Sequence, residues 1–171
     1  MKGKSSLLLI VLLMVLPPII ARAQSPGASP TYGDVRLSAG FDQDPWAKHL
    51  IAGGGITPSM GGCSYGYVAD APDVDLYWDG SGSTLYIYVM SKGDVDATLL
   101  VNTPDGGWMC NDDSFVDSDP FIVIPNAPSG LYDIWVGTYG SDPFGATLFI
   151  SELDPLAASD VTACFHDLRS G

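Results

Sequence analysis

From Asp34 onward, apolar residues come in short runs broken by Gly, Pro, Asp and Ser, and no long helical period is sustained. The clearest run has Leu85, Ile87 and Val89 on one face and Tyr86, Tyr88 and Met90 on the other, which is the period of a strand. Both faces are apolar, so this strand is expected to be covered on both sides or to lie centrally. Val35, Leu37 and Ala39 alternate with Arg36, Ser38 and Gly40 and predict an earlier strand. Further strands are predicted at His49–Ile51, Val74–Trp78, Ala97–Thr103, Phe121–Ile124, Leu131–Tyr139 and Ala146–Ser151. Asp79–Ser83, Lys92-Gly93-Asp94, Asp105-Gly106-Gly107, Ser129-Gly130 and Gly140–Gly145 are the turns between them. Lys92-Gly93-Asp94 is expected to fold the strand at 85–90 back onto the one at 97–103. About eight short strands at this spacing predict one all-β domain, an antiparallel β-sandwich.

The N-terminus changes the picture of where this domain works. Lys2 and Lys4, an apolar run from Leu7 to Ile20, and Ala21-Arg22-Ala23 have the layout of a signal peptide with an A-x-A cleavage site. The run is shorter than the roughly 20 residues a membrane span needs, and Pro17-Pro18 interrupts it. The expected division is residues 1–23 as signal peptide, 24–33 as a flexible leader, 34–153 as the sandwich and 154–171 as a tail. In that tail, residues 156–168 form one weak helix or stay loose. The expected location is periplasmic or secreted, with no membrane insertion after cleavage.

Charge narrows the partners. Loss of Lys2, Lys4 and Arg22 takes the formal net charge from −13 to −16. Such a chain is repelled by nucleic acid and by anionic membranes, and it is kept soluble or made attractive to cations. Cys63, Cys110 and Cys164 are the three cysteines. Export favours one bridge, expected between Cys63 and Cys110 because both fall inside the β region, with Cys164 left over.

Candidate chemistry is sparse. His49 and His166 are the only histidines, and neither sits in G-x-S-x-G or H-E-x-x-H. Gly53-Gly54-Gly55 opens no helix and does not match a phosphate-binding loop. No catalytic residue is assigned. Asn111, Asp112, Asp113, Asp117 and Asp119 make an acidic loop whose oxygens suit calcium, which takes 6–8 such ligands, or form a solvated turn. Asp73 and Asp75, or Asp94 and Asp96, would join it if those turns gather at one end of the sandwich. Trp46, Trp78, Trp108 and Trp135 are either core or a stacking platform. If Tyr132, Ile134 and Val136 face inward, Asp133 and Trp135 share the other face as a candidate binding surface.

Several motifs together resemble a family. They are Gly40-Phe41 with Asp44-Pro45, Cys63-Ser-Tyr-Gly-Tyr67, Ala71-Pro72-Asp73-Val74, the stretch Asp96–Asp113, and Ser129-Gly130 followed by Tyr132–Thr138. This set resembles bacterial pre-peptidase C-terminal domains, particularly the stand-alone exported ones, over roughly Asp34–Leu153. The resemblance implies a jelly-roll-like sandwich of the kind appended to secreted hydrolases, some members of which bind calcium or assist substrate engagement. No peptidase domain precedes this one, so a protease is implied only as a partner. The function expected is a non-catalytic exported module that binds a protein or polysaccharide partner, with calcium as a candidate stabiliser. The alternatives are a secreted hydrolase with an unrecognised site and a self-associating protein using Cys164.

Overall fold

The computed structural model describes residues 23–80, 82–113 and 118–157. Most of the signal segment, Asp117, Cys164 and His166 lie outside the described residues. Nine strands are present: β1 (Asp34–Ser38), β2 (Trp46–Ala52), β3 (Val74–Asp79), β4 (Leu85–Ser91), β5 (Ala97–Asn102), β6 (Trp108–Asn111), β7 (Phe121–Ile124), β8 (Gly130–Thr138) and β9 (Phe144–Ser151). They form a five-stranded sheet in the order β1-β3-β8-β5-β6 and a four-stranded sheet in the order β2-β9-β4-β7. The two sheets pack face to face as a β-sandwich, and no helix occurs among the described residues.

Between the sheets lies one apolar core. Val74, Leu76 and Trp78 of β3, Leu99 and Val101 of β5 and Tyr132, Ile134 and Val136 of β8 meet Leu50, Ile87, Val89, Ile122, Leu148 and Ile150 of the other sheet. Each set is every second residue of its strand, so the period-two pattern is what selects the inward face. The expectation that Tyr132, Ile134 and Val136 point inward holds, since all three are fully buried.

Three features differ from the sequence reading. β1 runs parallel to β3, so one pair of an otherwise antiparallel fold is not antiparallel. β4 does not pair with β5: the two belong to different sheets, so Lys92-Gly93-Asp94 crosses between layers instead of closing a hairpin. β6 was not expected as a strand, because Trp108-Met109-Cys110-Asn111 is short and runs into acidic residues. It pairs with β5 across the Asp105-Gly106-Gly107 turn, with Leu100 opposite Cys110.

The stretch between β2 and β3 folds over the outer face of the five-stranded sheet. Gly53 N–H donates to Val136 O at 2.9 Å, and Tyr67 N–H donates to Thr138 O at 2.8 Å. Glycine permits this close approach. A Cβ on Gly66, which has φ +72°, would lie 2.8 Å from Thr138 O, and one on Gly137 would lie 2.6 Å from Tyr67 O. The Cys63–Cys110 disulfide, with Cα atoms 5.8 Å apart, ties this cover to β6. Beneath it a second cluster forms from Cys63, Val68, Leu100 and Trp135, with Trp108 packed alongside.

Candidate functional site

The acidic loop leaves β6 and returns at β7. Asn111 Oδ1 accepts a hydrogen bond from Phe121 N–H at 2.9 Å, which pins the two ends of the loop together. Asp119 is buried and accepts from Ser91 N–H at 3.2 Å and from the Ser91 hydroxyl, so it anchors the end of β4. Asp112 is half-buried and Asp113 exposed. Of the neighbouring turns, it is Asp96 that joins this end. Burial, and then Asp113, Asp112 and Asp119, hold its carboxyl above the usual range. Its Oδ1 is buried without a partner. Asp73 and Asp75 lie elsewhere, on the outer side of β3. Among the described residues, no group of three or more His, Cys, Asp or Glu side chains is arranged to hold a metal ion.

Asp133 and Trp135 do share the outer face of β8, but neither is a surface residue. Trp135 is fully buried: its ring lies 5.4 Å from that of Trp108, and its indole N–H donates to Asp70 O at 3.4 Å. Alternation placed the two residues on one face. It could not show that the 53–73 stretch lies over that face.

Under that cover the sheet register builds a row that no sequence motif announced. Asp34 is opposite Asp75, Asp75 opposite Asp133, and Asp133 opposite Asn102. Asp75 and Asp133 are both more than nine-tenths buried, and Oδ1 of each has no partner. Burial, followed by the Asp75 carboxylate, pushes Asp133 up to about 6. Asp73, one register row away, is pushed up to about 7 by burial, against the lowering effect of the hydrogen bond from Val136. Arg36 stands over the Tyr77 ring at 4.0 Å rather than on a carboxylate.

The outer face of the four-stranded sheet has a different character. Its strand positions are Ala47, His49 and Ile51 of β2, Gly145, Thr147 and Phe149 of β9, Tyr86, Tyr88 and Met90 of β4, and Phe121 and Val123 of β7. None is a carboxylate, in a chain with 20 acidic residues. Across the face run stacked rings: Tyr86 and Phe121 with centroids 5.9 Å apart and planes 17° apart, and Tyr88 and Phe149 at 5.0 Å and 11°. Tyr88 and Phe121 join the two pairs at 6.4 Å. Phe121 and Phe149 are the direct cross-strand neighbours of Tyr88, so the stack follows from register. Ile51 is 56% exposed at its edge. Burial, and then Asp44, push the Tyr88 hydroxyl up to about 12, so it is neutral over the physiological range.

An open cleft of about 720 Å³ on this face is lined by His49, Ile51, Met90, Lys92, Thr147 and Phe149, among others. His49 Nδ1 lies 2.8 Å from Thr147 Oγ1. The described residues lining the cleft include no carboxylate and no cysteine beside the imidazole. The sequence matches no family model and no curated protein.

Proposed function

We propose that this chain is an exported, non-catalytic β-sandwich module that docks a protein partner through the aromatic outer face of its four-stranded sheet. The observation that carries this reading is the stack of Tyr86, Phe121, Tyr88 and Phe149 on a face whose strand positions hold no carboxylate. Charge depletion with aromatic and Met enrichment is the composition of an interface core. Ring geometry favours a protein over a glycan. Sugars stack on exposed ring faces, whereas these rings stack on one another and so cover part of each other's faces. The signal-peptide layout and the Cys63–Cys110 bridge support an oxidising destination, periplasmic or secreted. The motifs shared with stand-alone pre-peptidase C-terminal domains support a supporting module over an enzyme.

Site-specific photo-crosslinking in the native cell tests this reading. A photoreactive residue at Val123 or Phe149 is expected to give discrete, protease-sensitive adducts, and one at Asp105, in the exposed turn at the far sheet, none. Protease-resistant glycan adducts would replace the protein partner with a polysaccharide. Equal labelling at Asp105 would remove the face as the docking surface.

Calcium is a second reading, prompted by the oxygen-rich loop of Asn111, Asp112, Asp113, Asp117 and Asp119 and by the influence of Asp113, Asp112 and Asp119 on the Asp96 carboxyl. A ligand at a hundred times its Kd adds about 2.7 kcal/mol, which for a domain of this size raises Tm by about 5–10 °C. Calcium is expected to produce that shift in thermal melts, magnesium less, and sodium at matched ionic strength none. Asp112→Asn with Asp113→Asn should abolish it. Equal shifts in mutant and parent, or an equal effect of sodium, would leave only a solvated acidic turn.

A further inference from the structure

Gln24 is the residue that export would leave first. Cleavage after Ala21-Arg22-Ala23 breaks the Ala23–Gln24 peptide bond and puts a new α-amine on Gln24. Ala23 is exposed, whereas Gln24 is only 5% exposed and is the one buried residue between positions 23 and 33. Neither Oε1 nor Nε2 of its carboxamide has a hydrogen-bond partner among the described residues. A buried carboxamide without partners is a cost that native structures rarely carry without a reason.

The bonds that follow fix Gln24 in this position. Ser25 N–H donates to Asp70 O at 2.9 Å, and the Ser25 hydroxyl donates to Asp70 Oδ1 at 2.9 Å. Ala28 N–H closes a turn on Ser25 O at 3.0 Å. Farther along, Thr31 N–H donates to Pro72 O and Tyr32 N–H to Asp73 O, both at 2.8 Å, while the Tyr32 hydroxyl accepts from Ile51 N–H at 3.0 Å. Tyr32 also packs on the main core. Gln24 is thus held one residue from a bond to Asp70 O, the carbonyl that also receives the Trp135 indole N–H at 3.4 Å.

A free terminus suits this position poorly. An α-amine with a pKa of about 8 is mostly protonated at neutral pH, so cleavage would add an ammonium to a residue whose carboxamide is already unpaired. Residues 24–33 contain no charged side chain to meet it, and the exposed Asp70 carboxylate already accepts from the Ser25 hydroxyl. We propose, on the reading that the chain is exported, that Gln24 is a modification site whose new α-amine closes on its own side chain to give an N-terminal pyroglutamyl residue. The amine nitrogen attacks Cδ and the Cδ–Nε2 bond breaks. One amine hydrogen leaves with Nε2 as ammonia, and no oxidant, reductant or second substrate is consumed. The ring keeps one carbonyl and one N–H in place of an ammonium and a carboxamide. It is uncharged and has fewer donors to satisfy, which is what a buried position requires. Cyclisation also removes the free amine that an aminopeptidase grips, so the first residue of the mature chain is both seated and blocked.

Mass analysis of the exported chain, produced from the full precursor, tests this. The mature protein is expected to be lighter by one ammonia than the same chain with an open Gln24, and its N-terminus should resist Edman degradation. Pyroglutamyl aminopeptidase should leave the folded protein intact and expose Ser25 once the protein is denatured. Gln24→Glu, which cyclises far more slowly, should keep its amine. Protection of the Ser25 amide against hydrogen exchange should then be about tenfold lower, the scale of one uncompensated buried group. An Edman-readable Gln24 would overturn the cyclisation and leave export standing. A purified chain that retains residues 1–23 would remove the export reading along with it. Release of the ring from folded and denatured protein at equal rates would overturn its buried seat.

Discussion

Replacing Cys63 and Cys110 by serine, in a Cys164→Ser background, is expected to cost about 4 kcal/mol of stability by the chain-entropy relation for a loop of this size. The bridge spans 47 residues, and that loop contains β3, β4 and β5, so its loss frees much of the fold in the denatured ensemble. A domain of this size should lose about 10 °C of Tm, at roughly 2–4 °C per kcal/mol. The bridge also holds the cover over Trp135, so a second signal should accompany the first. Trp108 and Trp135 lie 5.4 Å apart beneath the 53–73 stretch. Reduction should therefore raise the quenching of tryptophan fluorescence by iodide below the melting transition. A Tm change of only a degree or two, with no gain in quenching, would mean that glycine packing and the Ile56–Val68 bridge hold the cover without the disulfide.

Trp135→Ala should be nearly as damaging, at about 3–5 kcal/mol, the range for a fully buried aromatic cut back to Ala. The side chain is 0% exposed, fills the space between Leu100, Val68 and the disulfide, and supplies an indole N–H to Asp70 O. Removing it leaves a cavity, while Asp70 O keeps its hydrogen bond from Ser25 N–H. Trp135→Phe should recover much of the volume and lose the bond, giving an intermediate loss. The result also decides between two roles for this residue. A surface binding tryptophan would leave Tm within a fraction of a kcal/mol of the parent and weaken only partner crosslinking. A core tryptophan lowers Tm and leaves crosslinking at Val123 in place while the domain stays folded.

Most of the strands were legible because alternation at a period of two is a local property. Leu85–Met90 is the clearest case: its inward set and outward set are both read directly from the order of residues, and the structure extends the strand by one residue to Ser91. The turns were legible for a similar reason, since glycine and Asp-Gly steps mark where the chain must reverse. The pattern marks only His49–Ile51 of β2, which spans Trp46–Ala52, because the charged Lys48 interrupts the inward-facing set of Trp46, Leu50 and Ala52. β6 was missed for want of length: four residues between a turn and an acidic loop carry too little period to recognise. The ring stack was half-visible, as Tyr86 and Tyr88 stand out on their strand, but Phe121 and Phe149 reach them only through pairing.

By itself, then, the sequence determined that the chain is β, where it turns, which residues of each strand share a face, and which two cysteines lie in the β region. Only the tertiary structure decided which strands share a sheet, which outer face is covered, and which acids meet. Alternation says that a strand has two faces, but not what is laid over each. Pairing partners far apart in sequence are chosen by packing of the whole core, which no window of residues contains. Asp34, Asp75 and Asp133 lie on three strands, with neighbours in the row up to 58 positions apart in sequence, and nothing local to any of them signals the other two. Asp75 and Asp133 are buried while Asp34 stays exposed, and the stretches near them, 24–33 and 53–73, have the pattern of loops. Trp135 is hidden because the covering stretch is tied by Cys63–Cys110 to the first sheet, whereas on the second sheet Tyr88 is buried among rings and Tyr86, Phe121 and Phe149 stay half-buried.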